Sequence, residues 1–150
     1  GGFSSLIAAY EDSSTVGVLG LDATNTETSN NNFDPSSLNI PVMGLAGELS
    51  SCNANGSGVE LYNTAQDSTM LRVTESDHCD FESPSDWLCT TLCPGTNAQF
   101  SNEQIHDTIL LLSTTALLMM STSDEEGSDW WTPGNPLFDE LLNSGKIQGL

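Results

Sequence analysis

Positive charge is what this sequence has least of. Its 150 residues include two cations, Arg72 and Lys146, against 21 Asp and Glu, a formal net charge of −19. An average globular chain of this length would carry roughly 18 Lys and Arg. With no basic patch to displace the counterions held on phosphates, nucleic acid is excluded as a partner. Electrostatic docking onto anionic membranes is excluded for the same reason. Long hydrophobic runs are missing as well. The most apolar stretch, Ile109 to Met120, is interrupted by Ser113, Thr114 and Thr115, and falls short of the about 20 apolar residues of a spanning helix. It reads as a core helix, and no membrane span is expected.

What is present argues for a folded chain. Only 15% of residues are charged, and the 37% that are hydrophobic come in blocks, unlike an acidic disordered tail. The length suits one domain with one sizeable core. Excess carboxylate favours solubility but adds self-repulsion, which a saline or calcium-containing medium screens over about 8–10 Å. Cysteines are few but even in number: Cys52, Cys79, Cys89 and Cys93. In a Ser/Thr/Asn-rich chain they point to disulfides in an oxidising, extracellular compartment. Four cysteines allow three connectivities. Joining loops at neighbouring strand ends favours Cys52–Cys79, with Cys89–Cys93 as the second bond. Asn55-Gly56-Ser57 is a candidate glycosylation sequon, in keeping with the same compartment.

Along the chain, Phe3, Leu6, Ile7 and Tyr10 fall at i, i+3, i+4 and i+7, one face of a helix. Val16 to Leu21 reads as a strand buried on both faces, ended by Asp22. Residues 23–39 are polar and Asn-rich, with a turn at Asp34-Pro35, and predict a long surface loop. A second buried strand, Pro41 to Ala46, ends at Gly47-Glu48. A short helix over Val59–Thr64 and a third strand over Met70–Thr74 follow, then a turn, Glu75 to Phe81, crowded with ionisable groups. Ser85 to Cys93 has a helical pattern closed by Pro94-Gly95. Residues 103–120 form the longest helix, with Ile105, Ile109, Leu112, Ala116 and Met120 inward. The run Asp124-Glu125-Glu126 reads as a solvated loop, and Asn135-Pro136 starts a last helix that Gly145 stops.

Strands alternating with helices predict an α/β fold: a parallel sheet of about three strands with flanking helices, and functional residues at the strands' carboxyl ends. Asp22, Glu48 and His78 all stand there. A neutral imidazole takes a proton from a hydroxyl near pH 7, and a carboxylate behind it fixes the tautomer and steadies the imidazolium. His78 and Asp22 suit those roles, with Glu48 as the alternative acid. Asp77 and Asp80 read as turn formers, and His106, on the long helix, as structural. Zinc is disfavoured, because adjacent His78 and Cys79 are poor ligands for one tetrahedral ion and no second cysteine pair has matching spacing. Asp22 to Asp34 lacks the sixth-position glycine and final glutamate of an EF-hand. No metal or cofactor is expected. Trp87, Trp130 and Trp131 read as packing residues.

Three segments, in order, carry a family resemblance. Gly1-Gly2-Phe3-Ser4-Ser5-Leu6-Ile7-Ala8-Ala9 is similar to the helix after a nucleophile elbow, Gly-x-Ser-x-Gly-Gly, with Gly1 as the penultimate glycine. Val18-Leu19-Gly20-Leu21-Asp22-Ala23 resembles the acid-bearing strand of chlorophyllases and platelet-activating-factor acetylhydrolases, although chlorophyllases usually have Pro where Ala23 stands. Asp77-His78-Cys79-Asp80-Phe81 resembles the histidine turn of the same α/β-hydrolases. A cysteine-containing helix and a long apolar helix follow that turn in chlorophyllase-like proteins, as Cys89/Cys93 and residues 105–120 do here. The resemblance covers most of residues 1–120, and Trp130-Trp131-Thr132-Pro133-Gly134 has no counterpart.

The resemblance implies the C-terminal portion of an α/β-hydrolase domain, residues 1–150, with 121–150 as a peripheral extension. It implies a Ser-Asp-His triad in which Asp22 is the acid and His78 the base. The serine would stand two residues before Gly1, and the oxyanion-hole donors would also lie outside this chain. The chain would then need the upstream half of the same domain to act on an ester substrate. A different class of function fits the same features: a non-catalytic acidic secreted domain that uses the scaffold for protein or ion binding.

Overall fold

The structure, a computed structural model, describes residues 2–25, 33–82, 87–93, 95, 98–122 and 125–150. Three strands, β1 (Val18–Leu21), β2 (Val42–Ala46) and β3 (Ser68–Val73), run parallel in that spatial order. Successive strand side chains point to opposite faces, so each strand feeds two layers. On one face, Val18, Val42 and Met70 meet Leu6 and Ala9 of α1 (Gly2–Glu11) and Tyr62 of α2 (Ser57–Asn63). On the other, Met43, Leu45, Leu71 and Val73 meet Ile105, Ile109, Leu112 and Ala116 of α4 (Asn102–Thr122). β2 lies between the other two and is buried at every position, as a strand covered on both faces must be.

Tyr62 shows how close this packing is. A Cβ at Gly20 would lie 2.5 Å from its ring, so the glycine makes room for a fully buried aromatic. The hydroxyl donates to the Gly2 carbonyl at 3.1 Å, and burial pushes the phenol up to about 12. On α1 the buried face is Phe3, Leu6 and Ala9. Tyr10, expected inward, is exposed and meets Phe33 edge-on, with ring centroids 5.5 Å apart.

The C-terminal fifth departs most from expectation. From the segment expected to be peripheral, 121–150, Trp131, Phe138, Leu141 and Ile147 belong to the core under α4. Trp131 Nε1 donates to the Leu112 carbonyl and to Thr115 Oγ1, both at 3.2 Å. α6 (Pro136–Asn143) starts at Asn135, whose side chain accepts the Leu137 N–H at 3.0 Å. A fourth strand, β4 (Ile147–Gly149), pairs antiparallel with β3, with Ile147 opposite Val73. Three residues with one buried side chain make no legible pattern, and the open edge of β3 supplies the pairing. Where a solvated loop was expected, α5 (Glu125–Asp129) forms instead, while Asp124 lies outside the described residues. α3 (Trp87–Leu92) occupies the expected helical stretch, whose expected limits Ser85 and Pro94 also lie outside the described residues. No helix among the described residues is long and apolar enough to cross a membrane.

Candidate active site

Parallel pairing puts the carboxyl ends of β1, β2 and β3 at one edge of the sheet. The chain turns sharply there. Asp22, directly after β1, has φ 40°, and Glu75, just past β3, has φ 62°. Left-handed backbone at a non-glycine residue costs on the order of 1–3 kcal/mol, and such residues cluster at functional sites. The Asp22 N–H still donates to the Leu45 carbonyl at 2.7 Å, so its backbone stays on the ladder as the chain turns.

Asp22 Oδ2 lies 2.7 Å from His78 Nδ1, across 56 residues of sequence. The carboxylate is 1% exposed and the imidazole 30%. The other oxygen, Oδ1, accepts the Gly47 N–H at 2.8 Å and Asn53 Nδ2 at 3.1 Å. Glycine matters at residue 47: a Cβ there would stand 3.0 Å from the Ser76 carbonyl oxygen and 3.5 Å from Asp22 Oδ1. With the proton on Nδ1 directed at Asp22, Nε2 is the ring nitrogen left to take a proton. Among the described residues no hydroxyl or thiol bonds the ring.

His78 opens a 3₁₀ turn, His78–Phe81, held by a reciprocal cap. The Asp77 carboxylate accepts the N–H groups of Cys79 and Asp80 at 2.7 and 3.3 Å, and Asp80 Oδ2 accepts the Asp77 N–H at 2.8 Å. Burial, and then the charge of Asp80, push the Asp77 carboxyl above its ordinary value. Asp80 Oδ1 also meets His106 Nε2 at 3.0 Å, tying the turn to α4. Asp77, Asp80 and His106 thus brace the turn that presents His78.

Glu48, the alternative acid, is engaged elsewhere. Its Oε1 accepts the Glu75 N–H at 3.1 Å, and its Oε2 lies 3.9 Å from Arg72 Nε. Glu75 in turn accepts the N–H groups of Gln99 and Phe100 at 2.8 and 2.9 Å. Those donors, that of Phe100 foremost, hold its carboxyl below the usual glutamate range.

All four cysteines form disulfides, but the pairing differs from the one expected. The bonds are Cys52–Cys93 and Cys79–Cys89, with Cα separations of 6.0 and 5.8 Å. The Cys93 N–H donates to the Cys89 carbonyl at 2.8 Å, so the two are one helical turn apart on α3 and its continuation. From there each reaches a different loop. Cys52–Cys93 anchors the loop after β2, and Cys79–Cys89 anchors the residue next to His78. The sulfurs of Cys79, Cys89 and Cys93 lie within 4.8 Å of one another, and the two bonds occupy them. Asn55 is exposed, at φ 55°. Of the tryptophans, Trp131 is buried in the core and Trp130, partly buried, packs against that core. Trp87, expected to pack, is 76% exposed.

Two groups that hold Asp22 had no sign in the sequence. The Gly47 N–H is backbone, and Asn53 sat in a polar loop where any asparagine reads as a turn former. Its side chain also accepts the Gly56 N–H, three residues on, at 3.1 Å, a local bond that carries no hint of the reach to Asp22. No family model, no curated protein and no solved structure matches this chain.

Proposed function

We propose that this chain is the acid-and-base part of a serine carboxylic-ester hydrolase of α/β-hydrolase type, similar to chlorophyllases and platelet-activating-factor acetylhydrolases. The observation that carries the reading is the 2.7 Å contact between Asp22, at the end of β1, and His78, in the turn after β3. In this reading His78 Nε2 takes the proton of a serine hydroxyl supplied from a segment preceding Gly1. The serine oxygen bonds the ester carbonyl carbon, and the imidazolium then gives its proton to the departing alcohol. Water, deprotonated by the same nitrogen, then bonds the acyl carbon; the acyl–serine bond breaks, the imidazolium returns its proton to the serine oxygen, and the acid is released. Asp22 keeps the proton on Nδ1 and stabilises the imidazolium. Disulfides and the sequon support an extracellular setting.

The test is a serine-directed phosphonate probe on a chain extended upstream of Gly1. Labelling that His78→Ala abolishes is expected. Asp22→Asn, which preserves shape but permits the wrong tautomer, should lower kcat by about 10⁴-fold. A folded extended chain that takes no label would instead favour the non-catalytic secreted domain.

A further inference from the structure

We propose that Asn53 is a positioning residue of the Asp22–His78 pair: its side-chain amide, together with the Gly47 N–H, fixes which carboxylate oxygen Asp22 offers to the imidazole. Its relevance to a reaction rests on the hydrolase reading, but the geometry stands apart from it. Asn53 is fully buried, and both ends of its amide are engaged. Nδ2 donates to Asp22 Oδ1 at 3.1 Å and to the Glu48 carbonyl at 2.8 Å, while Oδ1 accepts the N–H groups of Ser50 and Gly56 at 3.0 and 3.1 Å. An asparagine side chain offers two donor hydrogens and two acceptor lone pairs, so rotation of this amide breaks all four bonds.

The consequence falls on Asp22. A lone carboxylate can present either oxygen to a neighbour. Here Oδ1 is held by two donors, from Gly47 and Asn53, and Oδ2 is left for His78. Hydrogen bonds to an ionised group are the stronger ones, and a buried carboxylate that loses one is left partly unsatisfied. A residue that only closed the 50–56 turn would need its bonds to Ser50, Gly56 and Glu48; it would not need the bond to Asp22. The loop is braced from outside as well. Cys52, the preceding residue, is bonded to Cys93, and Cys79, next to His78, is bonded to Cys89 on the same helix. The supports of acid and base therefore meet on α3 and its continuation.

The experiment reads histidine tautomers by ¹⁵N NMR. The chain has two histidines, and His106, paired with Asp80, is an internal control. In the native chain neutral His78 should carry its proton on Nδ1. Asn53→Ala and Asn53→Ser should both move a measurable share of that proton to Nε2, with His106 unchanged. Serine retains a short acceptor for the turn but cannot reach Asp22, so it separates the two roles. A lowered Tm with an unchanged His78 tautomer in Asn53→Ser would overturn the proposal. If neither variant folds, the native Asn53 amide protons decide: slow exchange is expected, and exchange as fast as that of an exposed asparagine would overturn it. On the extended, unmodified enzyme, Asn53→Ser should lower kcat by about 10–100-fold, the loss of one bond to a charged group, with KM unchanged. Absence of phosphonate labelling would sink the hydrolase reading while leaving the tautomer result intact, so the two failures are distinguishable.

Discussion

On the α4 face of the sheet the buried side chains are mostly apolar: Leu112 and Ala116 are fully enclosed against Leu45, Leu71 and Val73. At the carboxyl ends of the strands Asp22, Asn53 and Ser76 are as deeply buried and are polar. The first region is held by burial, which has no direction and rewards any close fit. The second is held by hydrogen bonds that fail when a partner moves, and two disulfides brace it. Undirected burial and directed bonding therefore dominate different parts of the molecule, and the two parts should respond to different substitutions.

The largest expected effect lies in the apolar region. Leu112→Ala should cost about 2–5 kcal/mol in urea unfolding and leave the His78 tautomer as it was; a change in tautomer would mean that the two regions are not separable. The disulfides come next. By chain-entropy reasoning, removing Cys52–Cys93, which spans 41 residues, should cost about 4 kcal/mol, and removing Cys79–Cys89, which spans 10, about 3 kcal/mol. Paired Cys→Ser variants unfolded in urea test that order, and an inverted order would show that bracing of the His78 turn outweighs loop length. Away from the site, Asn135→Ala removes the α6 cap and should cost about 1 kcal/mol, read as a lower Tm with unchanged site geometry.

The smallest effects are in the pH dependence. Glu75 is held below its ordinary value, so its contribution is present above that value and is lost as pH falls through the folded one. Asp77 is pushed above its ordinary value. Its contribution is present below the ordinary aspartate range and is lost as pH rises through the folded value. Glu75→Gln should therefore destabilise the neutral chain and flatten the acid limb of the stability curve. Asp77→Asn keeps a capping oxygen and should stabilise the neutral chain by less than about 1 kcal/mol. Thermal melts across pH 3 to 7 that moved both variants in the same direction would contradict these assignments.

Much of the scaffold was legible because its signals are local. The period of α4 and the buried run of β2 emerge from burial on one face or two. The cap at Asn135-Pro136 and the strand-end places of Asp22 and His78 were readable for similar reasons. Other features depended on partners remote in sequence. β4 exists because β3 has an open edge, and the chain after α4 reaches the core because Trp131 and Phe138 found space under α4. The disulfide pairing turned on where α3 lies, and Asn53 matters through a bond to a residue 31 positions away.

By itself the sequence determined that the chain would bury alternating strands and helices, carry an acidic surface and place ionisable groups where strands end, since charge and periodicity are properties of neighbouring residues. Only the tertiary structure decided that Asp22 rather than Glu48 meets His78, that Cys52 pairs with Cys93, and that an amide and a backbone N–H hold the carboxylate. Those outcomes are hydrogen bonds and covalent bonds only a few ångströms long between distant parts of the chain, and such distances exist only once the sheet has set its register.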